Sequence, residues 1–109
     1  MPYNEDLARR VRQHLSGRDG ISERKMFGGV CFMVNGNMFC GVVKDELMVR
    51  VGPAGHEAAL RRPYARPMDF TGRPMTGMVF VEPPGTADEA DLASWVADCL
   101  AFSARRPAK

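Results

Sequence analysis

The sequence lacks a long apolar stretch and an excess of charge of one sign, the two features that most directly indicate a membrane protein or a nucleic-acid-binding protein. No apolar stretch approaches the roughly 20 residues that a membrane-spanning helix needs. Charge of one sign is not in surplus either: 15 lysines and arginines stand against 13 aspartates and glutamates, for a net charge of +2. A dedicated nucleic-acid module is usually far more basic. We therefore predict a protein outside the membrane, and the charge alone names no partner.

Cysteine and histidine are scarce and are not spaced as metal ligands. There are three cysteines and two histidines, without Cys-x-x-Cys or His-x₃-His spacing. An odd cysteine count and a charged, non-apolar N-terminus are typical of a reducing compartment and not of a secreted, disulfide-bonded protein. We predict a cytoplasmic protein without a metal or cofactor.

Catalytic residues are also missing from the sequence pattern. No motif ties His14 or His56 to a serine or cysteine nucleophile, and both are interpreted as surface residues. Asp69 and Glu82 are separate carboxylates without an evident partner, which gives no acid–base pair. We predict no catalytic residue and no enzymatic activity.

The composition that is present indicates one globular domain over residues 1–109. The chain is 45% hydrophobic and 26% charged, which is ordinary for such a domain. Its length suffices to bury a core without disulfides or a structural metal. The basic, proline-containing segment 104–109 is predicted to fray.

Three helices are predicted from caps and apolar periodicity. Asn4 is placed to cap a first helix that carries Leu7, Ala8, Val11 and Leu15 on one face. A short helix covers 54–62 and is stopped by Pro63. Thr86 and Glu89 have capping-box spacing before a last helix. Its apolar stripe comprises Leu92, Trp95, Val96, Cys99 and Leu100.

Strands are predicted between these helices. A strand-like pattern begins at Glu23 and runs to Val34, where Asn35-Gly36 is a strong hairpin signal leading into 37–43. Further strands are predicted at 47–51, 68–70 and 75–81. The order α-β-β-β-α-β-β-α predicts an α+β two-layer sandwich, with a mostly antiparallel sheet and the helices on one face.

The hairpin register suggests a candidate redox pair. If Asn35-Gly36 forms a two-residue turn, Cys31 lies opposite Cys40 at a non-hydrogen-bonded position, where Cα atoms approach to about 4.5 Å. That distance permits a disulfide, although two buried thiols are the commoner arrangement in a reducing compartment. Met33 and Met38 share their face, so both faces of the hairpin are apolar. The second face needs a cover, either segment 64–74 or a second copy of the chain.

Two candidate interaction sites are basic. The first is the segment Arg24-Lys25-Met26-Phe27-Gly28-Gly29, called here the glycine motif. Its glycines allow either a ligand-binding loop that approaches a phosphate or a structural bulge or close crossing where a Cβ would clash. The second is a group of arginines on and after the first helix, called here the basic rim. Nucleic acid could dock there through its phosphates. Alternatively, the rim is an ordinary solvated helix face balanced by acidic neighbours. The basic rim comprises Arg9, Arg10, Arg12 and Arg18.

The glycine motif and three further segments resemble the TfoX/Sxy family, N-terminal domain. The resemblance runs from Met1-Pro2-Tyr3 through Met26-Phe27-Gly28-Gly29 and the segment 68–75 to Trp95-Val96. It implies an α+β domain of regulators of bacterial competence, which are thought to work with the transcription machinery, and it supplies no catalytic residues. Family founders carry a second, helical domain, and we expect this chain to be a stand-alone N-terminal domain.

The sequence therefore predicts a non-enzymatic regulatory or protein-interaction module. The expected partner is a protein, with the transcription machinery as candidate and a homodimer as a further arrangement. The alternatives are a nucleic-acid-contacting transcription regulator and a cysteine redox sensor or enzyme.

Overall fold

Three helices and six strands form the described part of the chain, which comprises residues 3–26, 28–69 and 74–107 of a computed structural model. In chain order they are α1 (Glu5–His14), β1 (Ile21–Met26), β2 (Gly29–Val34), β3 (Asn37–Val43), β4 (Glu46–Arg50), α2 (His56–Leu60), β5 (Ala65–Asp69), β6 (Pro74–Val81) and α3 (Glu89–Ala104). Phe27 of the glycine motif and residues 70–73, within the segment 68–75 that resembles the TfoX/Sxy family, lie outside the described residues. Phe70, at the end of a predicted strand, is among them.

The six strands form one antiparallel sheet in the order β1-β2-β3-β4-β6-β5. Helices α1, α2 and α3 pack on one face of it and build the main core with the side chains that this face presents. The predicted fold class, an α+β sandwich with helices on one face of an antiparallel sheet, is confirmed.

The sheet has one strand more than the sequence pattern predicts. Residues from Glu23 to Val34 were expected to form a single strand, but the chain turns back between Met26 and Gly29, which lie opposite each other at the end of a hairpin. Gly28, in the turn, has φ +73°, a conformation that only glycine adopts without strain. The strand-like pattern of the sequence continues through the turn, so it did not indicate that two strands are present.

Helix α1 forms as its local sequence predicts. The Asn4 side chain accepts a hydrogen bond from the Leu7 backbone N–H at 3.1 Å, which satisfies one of the free donors at the helix start. Leu7, Ala8 and Val11 are buried against the sheet and α3.

The N-cap of helix α3 lies two residues later than predicted. Asp88, and not Thr86, is the N-cap, and its carboxylate accepts from the Ala90 N–H at 2.7 Å. Thr86 is buried instead, and its hydroxyl donates to the Pro83 carbonyl at 3.3 Å. A proline-rich turn over Pro83–Gly85 holds Thr86 before the helix, so the capping-box spacing there is coincidental.

The buried stripe of α3 follows the prediction closely. Leu92, Trp95, Val96 and Cys99 are buried, and Leu100 packs partly buried against the same core. Beyond the helix, the Pro107 carbonyl accepts a hydrogen bond from the Asn37 side chain at 2.9 Å. The fraying predicted for 104–109 stays a prediction.

The other sheet face carries a second, smaller cluster. Cys31 and Met48 are fully buried there in the single chain, Phe80 is 5% exposed, and Met38 and Val43 pack partly buried against them. Arg66 of β5 lies over the Phe80 ring at 4.6 Å from its centroid and pairs with Glu46 of β4. We call this group the open-side cluster.

Candidate functional site

The described residues of the glycine motif lie at the tip and edge of the sheet. Strand β1 is an edge strand, and Arg24 and Lys25 are exposed on it. The side chain of Met26 and all of Phe27 lie outside the described residues. Neither Arg24 nor Lys25 forms an ion pair with any residue that the structure describes.

Both glycines of the motif have a structural reason. Gly28 provides the left-handed turn, and nothing lies within 4 Å of where its Cβ would stand. Gly29 is the opposite case: a Cβ there would stand 2.0 Å from the Val42 carbonyl oxygen of β3. The close approach of β3 requires glycine at 29, which agrees with the structural interpretation of the motif.

The basic rim is largely neutralised. Arg9 pairs with Asp6 at 2.7 Å, and Arg12 pairs with Glu23 of β1 at 2.8 Å. Arg10 bonds the Glu89 carboxylate and donates to the Thr86 carbonyl at 2.6 Å. Arg18 is exposed and, within the described ranges, takes part in no ion pair. The rim is therefore not a continuous cationic surface, and its unpaired charge lies at Arg18 and, on β1, at Arg24 and Lys25.

Glu89 links the start of α3 to α1. Its carboxylate accepts from Arg10 and lies 2.9 Å from His14 Nε2. The hydrogen bond from Arg10, and next the one with His14, lower the pKa of Glu89. His14 thus has a specific partner at the helix junction.

His14 is exposed, as the sequence predicts, whereas His56 is not a simple surface histidine. It is half-buried, and its Nδ1 accepts a hydrogen bond from the Gly77 N–H of β6 at 3.0 Å. Gly77 has φ +91°, and its backbone lies against Gly52. His56 therefore anchors α2 to the sheet, a structural role that the sequence did not signal.

The predicted register that would bring Cys31 and Cys40 together is wrong. Strand β3 carries a bulge near its start, so Met33 faces Met38 but Phe32 faces Cys40, and Cys31 faces Gly41. The extra residue, Phe39, shifts every later pair by one. Cys31 belongs to the open-side cluster and Cys40 to the helix-side core.

All three thiols are buried and free. Burial raises the pKa of Cys31 to about 11. Burial raises the pKa of Cys40 as well, and a hydrogen bond with the Cys99 thiol raises it further. Thiols in this state are poor nucleophiles.

A groove between α2 and α3 holds a group of side chains that the sequence did not bring together. The Arg62 guanidinium lies over the Trp95 ring, with its Cζ 3.6 Å from the ring centroid. It donates to the Asp98 carboxylate and the Ser94 hydroxyl, both at 3.1 Å. We call this feature the Trp95 groove. Arg62 and Asp98 are 36 residues apart in the chain, so no local pattern indicates their contact.

Arg62 divides the Trp95 groove into two cavities. One, of about 230 Å³, is lined mainly by Val51, Ala58, Ala59 and Asp98 besides Arg62 and Trp95. The other, of about 210 Å³, is lined by Arg62, Pro63, Tyr64, Gly85, Asp91 and Trp95.

Tyr64 stands out at the second cavity. It is 52% exposed, and no other large hydrophobic side chain in the described ranges is exposed. Its φ is +66°, which is uncommon for a bulky residue. A hydrogen bond from the Glu82 N–H to the Tyr64 carbonyl at 2.9 Å holds it there.

Neither a metal site nor a membrane-spanning helix is found among the described residues. No group of three or more histidine, cysteine, aspartate or glutamate side chains is placed there to hold a metal ion. None of the described helices has the length and apolar character to cross a membrane.

Comparison with known proteins identifies the domain. No curated protein and no solved structure gives a significant match. The family model for the TfoX N-terminal domain matches residues 13–103, most of the chain, including the β1–β2 hairpin and α3. The chain belongs to the TfoX N-terminal domain family.

Proposed function

We propose that this domain is a non-enzymatic regulatory module of the cytoplasm that binds a partner protein through the β1 edge of its sheet. The observation that supports it most is an exposed edge strand with two cations, Arg24 and Lys25, for which the described residues provide no ion-pair partner. The TfoX N-terminal domain family is not known as an enzyme family. The transcription machinery is the candidate partner to test first.

Backbone geometry defines which groups of β1 can bind an added strand. The pairs Met26–Gly29 and, at the other end, Gly20–Asn35 bracket the hairpin, and the Asn35 N–H donates to the Gly20 carbonyl at 3.0 Å. Hydrogen-bonded pairs alternate along antiparallel strands, so the even-numbered residues of β1 bond β2. The N–H and C=O groups of Ile21, Glu23 and Lys25 then point outward, free to pair with an extended segment.

The opposite edge of the sheet is less suited to this. Strand β5 carries Pro67, which has no N–H to donate, and its pairing with β6 shifts register between Pro67 and Asp69. Proline and irregular pairing are common devices that protect an edge. Strand β1 has regular pairing along its length and no proline.

The charge on β1 favours an acidic segment. Glu23 is already paired with Arg12, so the charge that remains along the edge is positive. Cross-strand pairs of opposite charge stabilise a sheet, whereas like charges directly opposite destabilise it.

A second copy fits this edge less well than an acidic segment. Antiparallel pairing of two β1 strands about a twofold axis normal to the sheet places the residue at the axis opposite itself. At Glu23, Arg24 or Lys25 that residue would face its own charge, and among the first five residues of β1 only an axis at Ile21 or Ser22 avoids this. We therefore propose a different protein as the partner.

The experiment is an in-cell crosslinking pull-down of the tagged domain, with half of each sample treated with nuclease before capture. The test variant is Arg24→Glu with Lys25→Glu. The matched control, Arg105→Glu with Arg106→Glu, makes the same charge change at two exposed residues after α3. We expect a defined protein that survives nuclease, is retained by the control variant and is lost with the test variant.

Two results would overturn the proposal. Retention of the partner by the test variant would place the contact elsewhere on the domain. Loss of all partners on nuclease treatment would favour the alternative function, a nucleic-acid-contacting regulator that uses the same cations.

A further inference from the structure

We infer that the Trp95 groove is a second binding site, which takes a short peptide segment with one apolar and one basic side chain. The site is distinct from the β1 edge and does not depend on the function proposed for that edge. The inference comes from the size, lining and charge of the two cavities on either side of Arg62.

The cavities are small. At about 230 and 210 Å³, each is below the roughly 300–1,000 Å³ of pockets that hold drug-sized ligands. Each is suited to a single side chain of a bound peptide and not to a cofactor.

The two cavities differ in charge. In the first, Arg62 already pairs with Asp98, and the remaining walls are mainly Val51, Ala58 and Ala59. A neutral apolar side chain suits it. In the second, Asp91 is exposed and has no ion pair among the described residues, and the exposed Tyr64 contributes aromatic surface. Trp95 and Arg62 also line this cavity, but Trp95 is only 2% exposed.

An exposed carboxylate beside the exposed Tyr64 ring suits a cation. The chain itself shows that a guanidinium fits this chemistry, because Arg62 stacks on Trp95 and bonds a neighbouring carboxylate. A partner's arginine or lysine at Asp91, beside Tyr64, would form a similar arrangement two turns earlier on α3.

The helix sets the spacing of the two side chains. Asp91 and Asp98 are seven residues apart on α3, which corresponds to about 10 Å along the axis. An extended peptide covers that distance in about three residues. The fitting segment therefore has its apolar and basic residues three positions apart.

The test uses the only tryptophan of the chain as the reporter. The probe is a six-residue peptide that carries a leucine and, three positions later, an arginine in a glycine–serine background. Control peptides replace the arginine with glutamate or the leucine with alanine. Binding is followed through Trp95 fluorescence and the indole N–H resonance in the NMR spectrum.

We expect a saturable change with the probe and weaker binding with either control peptide. Asp91→Asn should weaken binding about threefold, the scale of one exposed ion pair. Glu57→Gln, which removes an exposed carboxylate from α2 outside both cavities, should leave binding unchanged. Ala58→Phe, at an exposed position of the first cavity, should block the leucine.

Absence of a saturable change would overturn the inference, and so would equal binding of the glutamate peptide or full binding by Asp91→Asn. These outcomes are separate from those of the edge proposal, because Arg24→Glu with Lys25→Glu should bind the probe like the unmodified domain.

Discussion

At the scale of single residues, the glycine motif shows two glycines that serve different ends. Gly28 is needed for its backbone angle and has open space around it, whereas Gly29 is needed because β3 leaves no room for a side chain. Substitution by alanine separates the two requirements, because the added Cβ clashes at position 29 but not at position 28.

Gly29→Ala should destabilise the fold much more than Gly28→Ala. The first places a Cβ 2.0 Å from a backbone oxygen, which cannot move like a side chain. Overpacking costs about 1–3 kcal/mol and occasionally more, and we expect this clash at the upper end of that range or above it. The second costs about 1 kcal/mol for the left-handed conformation alone. Urea unfolding measures both. Gly17→Ala, at φ +82° with nothing within 4 Å, is the control and should behave like Gly28→Ala.

The thiols give a second prediction at this scale. With a pKa of about 11 against an ordinary 9.0, Cys31 should hold about 100-fold less thiolate than a free thiol at pH 8. Alkylation by iodoacetamide, followed by mass spectrometry, should therefore be slow in the native protein and fast in urea. Rapid native labelling of Cys31 would contradict this and would support the redox-sensor alternative.

At the scale of elements, the sequence predicts those features that depend on neighbours in the chain. Asn4 caps α1 as expected, and Asn35-Gly36 forms the expected turn, with φ values of +51° and +83°. The bulge at Phe39 was not predictable, because an extra residue in a strand leaves the local composition unchanged and depends on how both faces pack. That single residue moved Cys40 to the other face of the sheet.

The junction of α1 and α3 should respond to acid. Because Arg10 and His14 lower the pKa of Glu89 in the folded state, the carboxylate contributes stability above its ordinary pKa near 4.5. That contribution is lost as the pH falls through the lowered value. The free energy of unfolding should drop more steeply below about pH 5 in the unmodified domain than in Glu89→Gln. Parallel pH curves for the two proteins, obtained by urea unfolding, would contradict the linkage.

At the scale of the whole molecule, the sheet buries side chains on both of its faces in a single chain. The methionine-rich hairpin face suggested a dimer from the sequence, but Cys31, Met48 and Phe80 of that face are at most 5% exposed without a second copy. This face therefore leaves less apolar surface for a dimer than the sequence suggested, although Met33 and Met38 are only partly buried. The dimer stays a prediction.

We expect a monomer in solution. Size-exclusion chromatography with light scattering should give a mass near 12.0 kDa over a range of protein concentrations. A mass that doubles with concentration would show self-association, and Arg24→Glu with Lys25→Glu would then test whether the β1 edge mediates it.

The sequence indicated the β1 edge but not the Trp95 groove, because the residues of the edge are neighbours in the chain and those of the groove are not. Arg24 and Lys25 could be selected from sequence because they adjoin a glycine pair in one segment. Arg62, Tyr64 and Trp95 come from α3 and the turn after α2, and only the packing of α3 beside α2 brings them together. Contacts between distant segments carry no local signal.

The difference between the two sheet edges limits how this domain can assemble. Growth of a fibre by strand addition requires that every subunit offer two edges, one to receive and one to give. Here Pro67 and the irregular pairing obstruct the β5 edge, while β1 stays open. Once a strand has docked on β1, no further open edge remains for the next subunit. This domain should therefore form closed complexes of defined size. It should resist polymerisation even when its partner is absent.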